Sequence, residues 1–93
     1  MDTPTNAVPV TKTRSWISWK NNQPWRYAIG FDREDRACFL DIRGGTQQGL
    51  ALAWRTVDGE WLGRFRFDDG YVTARLSAID IELIENTAKS VLS

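Results

Sequence analysis

The chain has 93 residues, one Cys, no His, and 12 basic against 12 acidic side chains. That length allows one domain, and 42% apolar residues make it globular rather than disordered. The missing His removes the commonest general base and zinc ligand, and a lone Cys excludes an intramolecular disulfide or thiolate cluster. No apolar run approaches the ~20 residues that span a bilayer. Met1-Asp2-Thr3-Pro4 lacks the basic flank and apolar stretch of a secretory leader. These features predict a cytoplasmic domain that binds rather than catalyses, with no cofactor or metal.

Residues 1–13 are small, polar and interrupted by Pro, so they read as a flexible tail ahead of one domain over 14–93. Arg14 to Lys20 suits a short strand with Trp16 and Trp19 on opposite faces. From Trp25 onward, apolar residues recur with period two, as strands require. Trp25, Tyr27, Ile29 and Phe31 share one face. After a charged turn at 33–36, Cys38, Leu40 and Ile42 oppose Phe39, Asp41 and Arg43. A Gly-rich connection over 44–49 follows, then Leu50, Leu52 and Trp54 against Ala51, Ala53 and Arg55. Asp58-Gly59 is a strong two-residue hairpin signal, and Asp69-Gly70 is a second. Together they place Leu50, Leu52, Trp54, Gly63, Phe65, Phe67, Val72 and Ala74 on one apolar face. Arg55, Arg64, Arg66, Arg75, Thr73 and Tyr71 collect on the other, with Arg64 directly opposite Arg75.

Ser77 is a helix cap, with Asp80 three residues on. At 100° per residue, Ile81, Ile84, Ala88, Val91 and Leu92 form a stripe for the sheet. Ile79 and Leu83 fall on nearly the opposite side and call for a second surface, such as that of a homodimer. The predicted fold is α+β: a curved antiparallel β-meander of 4–6 strands followed by one C-terminal α-helix.

No nucleophile–base pairing, phosphate loop or dinucleotide fingerprint is present. Cys38 reads as a small core residue. The acids at Asp32/Glu34/Asp35 and Asp68/Asp69 lack metal-loop spacing and suit turns, as does Arg43-Gly44-Gly45. Nine of the twelve cations are Arg, the side chain fitted to forked phosphate contacts and to stacking on rings. The Arg55/Arg64/Arg66/Arg75 face with Tyr71 offers both. The segment Lys12, Arg14, Trp16, Trp19, Lys20 and Arg26 adds cations interleaved with rings. Such a platform fits single-stranded DNA or RNA.

The Leu76-Ser77 start of the last helix, the strand Cys38-Phe39-Leu40-Asp41-Ile42-Arg43, and the strand-plus-helix pattern from Val72 to Leu92 carry a resemblance. They look like the single-stranded nucleic-acid-binding domains of the Whirly, purine-element-binding and transcriptional positive-cofactor group. That resemblance covers residues 25–92 as a pattern and implies a dimeric, cytoplasmic single-strand binder. A different class competes with it: a small protein-interaction module, such as a phage- or plasmid-borne regulator, that grips a protein partner through its aromatic and Arg surface. A carrier of small apolar ligands is a third reading.

Overall fold

The computed structural model describes residues 6–44 and 48–93. The first part of the expected tail and the centre of the Gly-rich connection lie outside the described residues. Six strands run in chain order: β1 (Lys12–Lys20), β2 (Gln23–Phe31), β3 (Ala37–Arg43), β4 (Gly49–Arg55), β5 (Trp61–Phe67) and β6 (Gly70–Arg75). They form one antiparallel sheet in the order β1-β2-β3-β4-β5-β6, followed by helix α1 (Ala78–Leu92). This is an open meander plus one helix, an α+β fold.

Helix α1 covers one face of the sheet. Period-two alternation supplies that face with Ile29, Phe31, Ala37, Leu40, Ala53 and Trp61, and the chain folds back over them with Leu76, Ile84 and Ala88. Ile29 and Phe31 are fully buried, and each such side chain contributes about 1.5–3 kcal/mol. Ser77 caps the helix as its sequence predicts, its hydroxyl accepting from the Asp80 N–H at 3.1 Å. Ile81 and Val91 pack beside the core, while Ile79 and Leu83 stay exposed.

Two turns differ from the sequence reading. Thr56 N–H donates to Glu60 O (2.7 Å) and Gly59 N–H to Thr56 O (2.9 Å), which makes Val57-Asp58-Gly59 a three-residue loop. The two-residue alternative needs positive φ at both central positions. Gly59 has it (φ 91), but Asp58 is not among the positive-φ residues. Ala53 therefore pairs with Gly63 and Arg55 with Trp61, one residue away from the expected register. A one-residue offset turns every side chain over. Leu52 and Trp54 accordingly leave the helix side, and Ala53 and Arg55 enter it. A bulge between Leu50 and Leu52 reverses the offset, so Leu50 returns to the helix side opposite Phe65. The β5–β6 loop is Asp68-Asp69 rather than Asp69-Gly70, with Phe67 opposite Gly70. That shift is two residues, so the faces survive, but Arg64 now opposes Thr73 and Arg75 opposes Leu62.

The tail boundary also needs correction. Strand β1 starts at Lys12, and residues 6–11 are tied to the end of the sheet. Val57 N–H donates to Asn6 O, Val8 N–H to Arg55 O, and Thr11 N–H to Phe31 O, all at 2.8–2.9 Å. Val10 rests on bare backbone: a Cβ on Gly30 would stand 2.8 Å from Val10 Cγ1. Cys38 is the extra residue of a second bulge, so Ala37 rather than Cys38 takes the place beside Phe31. It is buried as expected, and that burial pushes its thiol above the ordinary value, with Arg55 opposing the shift.

Candidate nucleic-acid interface

The face away from α1 can be read off the strand pairing, because directly opposed residues point to the same side. One rung runs Thr13, Gly30, Phe39, Trp54, Leu62, Arg75. The next runs Ser15, Ala28, Asp41, Leu52, Arg64, Thr73. A third holds Ile17, Arg26 and Arg43 on one side, and Gly49, Arg66 and Tyr71 on the other. Outward strand positions thus carry Arg26, Arg43, Arg64, Arg66 and Arg75. The one carboxylate among the described outward strand positions is Asp41.

Each arginine has a different setting. Arg64 lies over the Trp54 ring (5.9 Å), and Arg66 lies over Tyr71 (5.9 Å). Arg75 pairs with Glu60 at 3.0 Å and is largely exposed. Arg43 Nε donates to Asp41 Oδ2 at 3.1 Å. Arg26, exposed and directly opposite Arg43, has no ion pair among the described residues. Opposed like charges destabilise a sheet. The one carboxylate beside them, Asp41, bonds Arg43 alone, so the pair keeps net positive charge and unused donors.

Not every predicted contact residue reaches this face. Arg64, Arg66, Arg75 and Tyr71 are brought together as expected, and Trp19 and Arg26 join them on the outer side. Arg55 does not. The three-residue loop turns it inward, where its side chain is mostly buried, bonds Asp32 and donates to Ala37 O at 2.9 Å. Lys12, Arg14, Trp16 and Lys20 pair with Phe31, Ile29, Tyr27 and Gln23, which places them on the helix side. There Lys12 bridges Asp35 (2.7 Å), Trp16 stacks on Tyr27 (centroids 5.3 Å, planes 7° apart), and Lys20 covers Trp25. The interleaved segment 12–26 is therefore divided between two faces and is not a single platform.

Asp41 and Arg43 were missed as site residues. Their outward positions follow from the alternation on β3, but a turn at Arg43-Gly44-Gly45 accounts for Arg43 without a binding role. They border an open trough of about 590 Å³ with Ser15, Ile17, Arg26 and Ala28. On the helix side a separate cavity of about 300 Å³ lies between α1 and the sheet, lined by Trp16, Tyr27, Ile42, Leu50 and Leu83 among others. Leu83 and Ile79, the predicted dimer residues, are 60% and 71% exposed.

Among the described residues, no cluster of three or more His, Cys, Asp or Glu converges as a metal site would, and no helix is long and apolar enough to cross a membrane. Comparison with protein-family models, curated proteins and solved structures returned no match.

Proposed function

We propose that the protein binds single-stranded DNA or RNA without catalysis, through the outer face of its sheet. The observation that carries this reading is the concentration of Arg26, Arg43, Arg64, Arg66 and Arg75 on one face whose described strand positions hold a single acid, Asp41. Arg64 on Trp54 and Arg66 on Tyr71 present flat cationic groups at the surface. Bases stack on such groups, and phosphates take their unused N–H donors.

The test is a titration of a labelled 15-nucleotide strand at two salt concentrations. Binding should weaken steeply with salt, because each neutralised phosphate of a single strand contributes ~0.7 to the log–log slope. Replacing Arg26, Arg64 and Arg66 together by Ala should lower that slope by about 2 on the same basis. Absence of binding at micromolar protein in low salt, or binding indifferent to salt, overturns the reading.

The helix side supports self-association. Leu83 borders the apolar cavity and Ile79 is exposed on the same helix, and a second copy that covers them removes apolar surface from water. The same cavity favours the competing reading, a protein partner seated there. Light scattering separates them: a dimeric mass lost in a Leu83→Lys variant supports self-association, and a monomeric wild type favours the partner.

A further inference from the structure

The trough between β1, β2 and β3 is built like a receptor for one nucleotide. Its floor is Ala28, a small residue between Ser15 on β1 and Asp41 on β3, with Ile17, Arg26 and Arg43 on the next rung. At its lower end Val10 lies over Gly30. At its upper end stand the opposed Arg26 and Arg43. The volume, about 590 Å³, lies within the ~300–1,000 Å³ typical of small-molecule sites.

Asp41 sets the chemistry inside. A carboxylate accepts hydrogen bonds and donates none. Arg43 Nε occupies Oδ2, which leaves Oδ1 without a partner among the described residues and holds the group in place. Arg43 keeps its terminal N–H groups, and Arg26 keeps all of its own. Two forks beside one acceptor match a phosphate joined to a base that offers donors on its edge. Guanine presents two adjacent donors, N1–H and the N2 amino group. They span both carboxylate oxygens, since Oδ2 keeps a lone pair beside its Arg43 bond. Adenine and cytosine set a ring-nitrogen acceptor beside their one amino group. Thymine presents one N–H flanked by two carbonyl oxygens, which a carboxylate repels.

From this we infer that the trough holds one nucleotide of the bound strand and selects guanine, with Asp41 reading the base edge and Arg26 and Arg43 holding the phosphate. The inference rests on the outer face being the single-strand site and adds base selectivity to it.

The experiment compares four labelled 15-mers with the full-length protein: oligo-dT, and oligo-dT with every third base replaced by G, A or C. The G-containing strand should bind about tenfold tighter than oligo-dT, the scale of one good base-edge contact. Asp41→Asn should erase that ratio while oligo-dT binding holds or tightens, since a negative charge is lost. Ala28→Leu, which raises the floor without changing charge, should erase it too and leave the salt slope intact. Unchanged circular dichroism shows that both variants fold. Equal binding of all four strands by the wild type, or a guanine preference that survives both substitutions, overturns base selection while the single-strand reading stands. If none of the four strands binds in low salt, both fall together.

Discussion

The two faces of this sheet use arginine in opposite ways. On the helix side Arg55 is mostly buried, and its guanidinium ties the 32–36 turn to β4 through Asp32 and Ala37 O. On the outer side Arg26, Arg64 and Arg66 bond no carboxylate among the described residues. The same residue type is structural where its charge is matched and dehydrated, and available where it is neither. Position relative to one turn decides which. Had the 57–59 loop held two residues, Arg55 would stand outside with the others.

The largest test of that contrast is Arg55→Ala. It takes the closest cation from a buried Asp32, which keeps Arg36 (3.6 Å) and two N–H donors, so urea denaturation should show a loss of about 1.5–3 kcal/mol. That is a large fraction of the ~5–15 kcal/mol available to a small domain. Ser77→Ala removes the helix cap and should cost about 1 kcal/mol in the same assay. Arg66→Ala, on the outer face, should change stability by less than about 0.5 kcal/mol yet weaken strand binding. Equal stability losses for Arg55→Ala and Arg66→Ala would dissolve the contrast.

Acid sharpens it further. Burial alone raises the Asp32 carboxyl. The N–H groups of Arg36 (3.0 Å) and Glu34 (2.8 Å), together with Arg55, more than reverse that and hold it below its ordinary value of 3.8. A depressed folded value means stability that is fully present above the ordinary carboxylate range and is lost as pH falls through the folded value. Below about pH 4, in the carboxylate range, the midpoint of thermal unfolding should therefore fall. Asp32→Asn should flatten that part of the profile. An identical acid profile in the variant would show that other carboxylates are responsible.

Much of the fold was legible because its signals were redundant. Alternation marked the strands, and Ser77 with the stripe through Ile84 and Ala88 marked the helix. The register of β4 was not legible, because Asp-Gly serves both a two-residue turn and the end of a three-residue one. The difference lies in the φ of Asp58, which the tertiary structure settles. The candidate site inherited that error at one residue, Arg55. Lys12, Arg14, Trp16 and Lys20 were misassigned for a simpler reason. Trp16 and Trp19 were already expected on opposite faces, so a platform using both could not lie on one side. Arg64, Arg66, Arg75 and Tyr71 keep the shared outer face that alternation gives them, because the β5–β6 shift is two residues and preserves parity.

The loop at 57–59 and the bulge before Leu52 bracket a short cassette, Leu52 to Arg55, whose facing is opposite to what uniform pairing would give. Neither irregularity can change length alone without inverting residues beyond it. If both lost a residue together, the cassette would turn over while Leu50 and all of β5 kept their sides. Insertions and deletions in descendants of this chain should then occur as coupled pairs in this hairpin. Such a pair would exchange a buried arginine for a surface one without any substitution.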